Sequence, residues 1–239
     1  MKQAVRLLVV SAHAADFVWR AAGAIASVTR KSGAARVVAL SYGERGESGE
    51  LWKQPGQTEQ KVKEIRRSEA EAAATLLGAA FVPFDLGDYP LEMDRSAVER
   101  LTQEIRDFEP NLILTHAKED PFNPDHGTAY QMTERARQLA SGAGVASAFK
   151  TIAPPEFLLF EPHQPELSGF CPNTFLDITP VFELKTAAME KMGAQQYLRE
   201  YYAQRAAQRA NHARRISGNK NILFAEAFQR VSPHVISGF

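Results

Sequence analysis

Short apolar runs alternate with longer amphipathic stretches along this chain. "AVRLLVV", "ARVVAL" and "NLILTH" are rich in β-branched residues and too short for helices, so they predict strands, and "AAFVPF" is a weaker example. Between them, the stretch Thr58 to Leu77 has no Gly or Pro, is rich in Ala, Glu and Leu, and is followed by Gly78, which predicts a long helix with a C-terminal stop. Asp94 to Phe108 predicts a second helix, closed by Pro110. Beyond Pro154 the pattern loosens into "EFLLFEP" and "TFLDI" and then becomes helix-rich from Pro180 to Ser217. Strand and helix in alternation predict an α/β fold: a Rossmann-like, mostly parallel sheet flanked by helices. In such folds binding sites gather at the carboxyl ends of the strands.

Length and charge narrow the setting. The 239 residues carry no internal repeat or linker and are expected to form one domain (1–239), with "SGAGVAS" at 141 to 147 as a small flexible connector. Twenty-eight basic and 28 acidic residues cancel, so no overall field points toward nucleic acid or an anionic membrane, and a small molecule is the expected partner. Cys171 is the single cysteine, which excludes an intrachain disulfide and any need for an oxidising compartment. The apolar part of "MKQAVRLLVVSAH" is too short for a signal sequence, and no run reaches about 18 apolar residues, so the expected location is cytoplasmic, with no membrane contact. The expected assembly is a homo-oligomer.

Chemistry-bearing residues fall just after the predicted strands. His13 and Asp16 follow the first, Glu47 the second, and His116 the fourth. A catalytic zinc site commonly takes three protein ligands and keeps one position open. His13 and Asp16 supply two candidates. The third is sought in "THAKEDPFNPDHGTAY", which holds His116, Glu119, Asp120, Asp125 and His126; His126 stands out because Asp125 precedes it and a helix is expected to start after it.

These stretches resemble a known family. "VVSAHAADFVWRAAGAIA" is similar to the metal-binding opening of the PIG-L or LmbE-like N-acetylglucosaminyl deacetylases, Ala-His-Pro-Asp-Asp-Glu, and "FNPDHGTAY" to their second motif, His-Pro-Asp-His. "GERGESG" and "RRSEAEAAATLLG" match the family's loop after the second strand and the helix beyond it, so roughly the first 130 residues carry the motifs in order. The resemblance implies a PIG-L/LmbE-like fold and a zinc ion held by His13, Asp16 and His126. The family's general base falls on Ala15 and its assisting histidine on Asn123. Both departures strike proton transfer and leave the ligands in place.

A branch of that family, the 4-oxalomesaconate (4-carboxy-2-hydroxymuconate) hydratases, is similar to this chain from end to end. "YGERGESGELW" and "FEPHQPELSGFCPNTFLDITPVFELKTAAMEKM" carry that likeness, together with the alanine at position 15. It implies that Glu47 activates the water at the metal and that His163 acts as acid. Hydrating an activated C=C bond needs a polarised water, a carboxylate to orient it and an acid for the neighbouring carbon, but no leaving amine. A carboxylate at position 15 would repel a polycarboxylate substrate, and alanine avoids that cost. Arg20, Arg45 and Lys118, near the motif loops, are the candidate cations for the substrate carboxylates. Asp125 and Asn123 are expected behind the ligands, Asp125 orienting an imidazole. Zinc is the expected ion, and the same nitrogen and oxygen donors accept Fe²⁺ or Co²⁺. Two other readings stay open: a zinc hydrolase acting on a small amide or ester with Glu47 as base, and a metal-binding protein without turnover. His116 reads as a strand cap, His212 as part of a basic helical face, and His234 as uninvolved.

Overall fold

In the computed structural model, which describes residues 4–233, seven strands form one sheet in the order β3-β2-β1-β4-β5-β7-β6. The strands are β1 (Arg6–Ser11), β2 (Ala34–Ala39), β3 (Ala80–Pro83), β4 (Leu112–Thr115), β5 (Glu156–Phe160), β6 (Thr174–Asp177) and β7 (Ala225–Arg230). The helices are α1 (Asp16–Thr29), the single turn α2 (Gly49–Trp52), α3 (Glu59–Leu77), α4 (Arg95–Phe108), α5 (Pro124–Ala140), α6 (Phe182–Glu190) and α7 (Leu198–Ser217). The first five strands in the order pair in parallel, while β7 runs antiparallel to both β5 and β6.

The side-chain period of two along each strand divides the core between two faces. Leu7 and Val9 of β1 pack with α1, α3, α6 and α7, whereas Leu8 and Val10 pack with α4 and α5. Burial on both faces explains why the central strands read as near-continuous apolar runs. Strand order reverses between β1 and β4, which opens a crevice at their carboxyl ends.

The two long helices follow their sequence signals closely. Thr58 caps α3 by accepting from the Lys61 N–H, and Gly78 ends it in the left-handed conformation at φ 72°. Asp94 caps α4 through the Ala97 N–H, and Glu109 turns the chain before Pro110 can break it. Helix α5 differs from expectation. It starts at Pro124, so His126 lies inside its first turn rather than ahead of it. Strand β7 was not expected at all: its buried Glu226 breaks the apolar pattern. That carboxylate pairs with Lys185 at 2.7 Å beneath α1, where Lys185 donates to the Trp19 carbonyl and Glu226 accepts from the Gly23 and Ala24 N–H groups. Among the described residues no helix is long and apolar enough to cross a membrane.

Candidate active site

Three segments meet at the crevice. The β1–α1 turn carries His13, and Asp16 opens α1, where the positive end of the helix favours a carboxylate. The segment after β2 carries Glu47. It turns at Gly43 (φ 72°), where a Cβ would stand 3.2 Å from the His13 Cβ, so both the backbone conformation and the close approach call for glycine. Buried Asp88 fixes this loop by accepting from the Arg45 N–H at 2.9 Å and the Gly46 N–H at 2.7 Å. The β4–α5 segment supplies His116, Asp120, Asn123 and His126.

His13, Asp16, Glu47 and His126 bring one donor atom each to within 4.8 Å of one another. His13 Nδ1 lies 3.3 Å from Asp16 Oδ2 and 3.2 Å from Glu47 Oε1; His126 Nε2 lies 3.6 Å from Asp16 Oδ1 and 3.8 Å from Glu47 Oε1. Donors around a tetrahedral ion at about 2.0–2.1 Å stand roughly 3.3–3.4 Å apart, so the spacing suits a small divalent cation. His13 Nδ1 and His126 Nε2 are buried without a hydrogen-bond partner, as atoms reserved for an ion would be. The nitrogen and carboxylate donors together could hold a metal.

The opposite ring nitrogens are held by acids. Asp125 Oδ2 stands 3.2 Å from His13 Nε2 and also accepts the Tyr89 N–H, while its other oxygen accepts the Leu91 N–H. Asp120 Oδ2 is 2.9 Å from His126 Nδ1. Asp125 therefore steadies His13, not the histidine next to it in sequence, and Asp120 steadies His126. His116 touches the cluster from below: its ring stacks on His126 at 4.0 Å, and its Nε2 accepts the Ala12 N–H and lies 3.2 Å from Asp16 Oδ2.

Electrostatics follow this geometry. Burial alone would lower the His126 imidazole, but Asp16, Asp120 and Glu47 around it push it up to about 9. His13 is raised well above its ordinary value in the same way, against its burial, chiefly by Glu47. Burial and the neighbouring His126 push His116 down to about 3, which keeps it neutral. Burial works to raise the Glu47 carboxyl, yet His13 and His126 hold it below the usual range, so it is ionised. A field that favours protons on two imidazoles also favours a cation between them.

A cavity of about 270 Å³ opens beside the cluster, with Arg20, Glu47, Asn123, His126, His163 and Tyr202 in its wall. Asn123 Nδ2 donates to Glu47 Oε1 at 3.0 Å, and Gln195 Nε2 to Glu47 Oε2 at 3.4 Å. Of the three candidate cations, Arg20 alone lines this cavity; its Nη1 pairs with Asp16 Oδ1 at 2.6 Å and its buried Nε has no partner. Arg45 is corrected, because its exposed guanidinium turns outward to Glu59 at 3.3 Å. Lys118 is corrected too, since it is exposed and outside the cavity wall. His212 sits on α7 against Arg209, away from the cavity, and His234 lies outside the described residues. Reading the sequence missed Tyr89, Gln195, Tyr197 and Tyr202 in the wall. They come from segments without a local chemical motif, and the fold alone brings them in.

The family model for PIG-L, described as GlcNAc-PI de-N-acetylase, matches residues 8–137, more than half of the chain and all four clustered residues. The chain belongs to the PIG-L family. Among PIG-L relatives, it is 47% identical over 231 residues to the 4-oxalmesaconate hydratase of Pseudomonas putida KT2440, covering 95% of this chain and 90% of that one. It is also similar to the crystal structure of the 4-carboxy-2-hydroxymuconate hydratase from P. putida KT2440, at a TM-score of 0.95 and 46% identity over 98% of both chains. The fold is shared more widely: an N,N'-diacetylchitobiose deacetylase from Pyrococcus horikoshii superposes with a TM-score of 0.79 at 19% identity, covering 95% of this PIG-L chain and 84% of the other.

Proposed function

We propose that this chain is a metal-dependent hydratase that adds water to 4-carboxy-2-hydroxymuconate, the enol form of 4-oxalomesaconate, giving 4-carboxy-4-hydroxy-2-oxoadipate in gallate or protocatechuate catabolism. One observation carries the reading beyond the relatives' names. The cavity wall holds two carboxylates, Glu47 and Asp120, and Asp120 is committed to His126, while position 15 is a fully buried alanine. Glu47 is thus the base the site offers, and an alanine stands where the family resemblance implies the deacetylases' base.

His13, Asp16 and His126 would hold the ion, and zinc suits their nitrogen and oxygen donors. Once bound, the ion supplies a Lewis acid that brings the pKa of a water toward neutrality and draws in the substrate's negative charge. Glu47, ionised and fixed by Asn123 and Gln195, orients the water and takes its proton. The oxygen bonds to the carboxyl-bearing carbon 4, the C4=C5 π bond is lost and carbon 5 receives a proton from His163; the C2=C3 enol that remains then ketonises, its hydroxyl proton passing by way of solvent to carbon 3, which gives the 2-oxo product. Burial, with Arg20 and Arg205 nearby, pushes the His163 imidazole below its ordinary value, which makes its protonated form a stronger acid and a scarcer one at neutral pH. Arg20, in the cavity wall, is the cation placed to meet a substrate carboxylate. Tyr202 and Trp19, stacked at 5.6 Å, form an apolar wall for the diene.

The test follows the ultraviolet absorbance of the conjugated substrate. It should fall on addition of the protein, stop falling with chelator and resume with divalent ion, and the product should show a quaternary carbon bearing hydroxyl by NMR. Acetate release from N-acetylated sugars, with no loss of the conjugated chromophore, would overturn the proposal.

A further inference from the structure

Helix α7 reaches the reaction centre indirectly. Tyr201, Arg205 and Arg209 are spaced four residues apart and form one stripe of that helix, facing the segment Glu161-Pro162-His163 that leaves β5. The Tyr201 ring stacks on the His163 imidazole at 4.2 Å and 18°, and its hydroxyl donates to the His163 carbonyl. Arg205 donates to the Tyr201 hydroxyl, to the His163 carbonyl at 3.5 Å and to Glu161 Oε1 at 2.9 Å. Arg209 closes the array on Glu161, with Nε 2.9 Å from Oε2. Glu161 and Arg209 are both buried.

Burying a carboxylate between two guanidiniums is costly unless the geometry is satisfied throughout, and here every partner is engaged. The array does not line the cavity beside the cluster, and of its members the proposed chemistry uses only Arg205, through its charge near His163. Its contacts fall on the one segment that carries the acid. An imidazole on a loop needs its ring plane fixed to deliver a proton along one direction, because a misplacement of about 1 Å can cost on the order of 100-fold. The main-chain bond and the stack fix that plane from two sides.

We propose that Tyr201 is a positioning residue for His163, and that Arg205, Glu161 and Arg209 hold Tyr201 in place for this task. The inference rests on the proposed role of His163 as acid. It assigns Tyr201 no contact with substrate.

Tyr201→Phe removes the bond to the His163 carbonyl and keeps the stack; Tyr201→Leu removes both. Each is measured alone and in a His163→Ala background, with kcat, KM, metal content and melting temperature recorded on the metal-loaded protein. Tyr201→Phe should lower kcat by about 3- to 10-fold and Tyr201→Leu by about 30-fold or more, with KM within about twofold and metal content unchanged. In the His163→Ala background neither substitution should change the residual rate further, because a residue acting through His163 has nothing left to act on. Arg205→Lys should retain more of kcat than Arg205→Met. If Tyr201→Leu multiplies its full loss onto His163→Ala, or leaves kcat unchanged while His163→Ala abolishes it, the positioning role is wrong and the acid assignment stands. If His163→Ala itself keeps the wild-type rate, the acid assignment falls and takes the clamp with it.

Discussion

Glu47→Gln tests the chemistry most directly, since it removes a charge and keeps the shape. The Glu47 carboxylate lies 3.2 Å from His13 Nδ1 and 3.8 Å from His126 Nε2, inside the cluster that would hold the ion. Two unit charges about 4 Å apart interact by roughly 4 kcal/mol at an effective dielectric near 20. Only the part of that interaction that arises as the proton moves enters the rate, and at about 1.36 kcal/mol per factor of ten the 10²- to 10⁴-fold commonly lost with a general base corresponds to roughly 3–5 kcal/mol. The amide adds a smaller penalty: its NH₂ must face either Asn123 Nδ2 or Gln195 Nε2, both of which donate to the native carboxylate. The expected result is a kcat at least about 100-fold lower with metal content intact, measured by the absorbance assay and by metal analysis of the same samples. An unchanged kcat removes Glu47 from proton transfer. A variant purified without metal makes Glu47 a ligand rather than a base, and equally refutes the assignment.

Asp120→Asn replaces the acceptor on His126 Nδ1 and should weaken metal binding by about 10- to 100-fold without unfolding the chain, read by chelator competition. The proton and the ion compete for the same imidazoles: with His126 at about 9, that ring holds a proton at neutral pH before the ion enters, and His13 is shifted in the same direction. Apparent metal affinity should therefore fall by at least about 10-fold per pH unit from pH 8 to pH 6, the His126 proton being displaced; a slope near zero in calorimetric titrations would contradict this. Ala15→Asp should reduce hydration and confer no acetate release, because the new carboxylate would be buried next to Asp16 in the chain and Asn123 remains where the family resemblance implies a histidine in the deacetylases. Gly23→Ala would drive a Cβ to 2.6 Å from Ile178 Cγ2 and 2.9 Å from the Glu226 carboxyl, so it should cost about 1–3 kcal/mol and lower the melting temperature by roughly 2–10 °C in a thermal shift assay.

Much of the architecture was legible because its signals are local. The alternating runs placed β1, β2 and β4 within a residue or two, and the residues at Thr58, Gly78 and Asp94 marked helix ends through single hydrogen bonds or a left-handed turn. His13, Asp16 and Glu47 were each visible after a predicted strand and His126 in the motif beyond the fourth, and the fold gathers them. What stayed hidden depends on pairing across the chain. Glu226 reads as a surface charge until Lys185 is seen 2.7 Å away, and β7 disappears with it. Asp125 looks like the partner of its neighbour His126, but α5 turns adjacent side chains about 100° apart and sends it to His13. Arg45 fails for the same reason: the backbone of its loop faces the site through Gly46 and Glu47, and its own side chain follows Glu59 outward.

The stretch recognised by the family model ends at residue 137, before the segment bearing His163 and before Gln195, Tyr197 and Tyr202. On the proposed reading, the amino-terminal portion carries the residues that would hold an ion together with the base Glu47, and the carboxyl-terminal portion adds His163 and much of the cavity wall. Exchanging the second portion while keeping the first would replace that acid and that wall and leave the proposed ligands where they are.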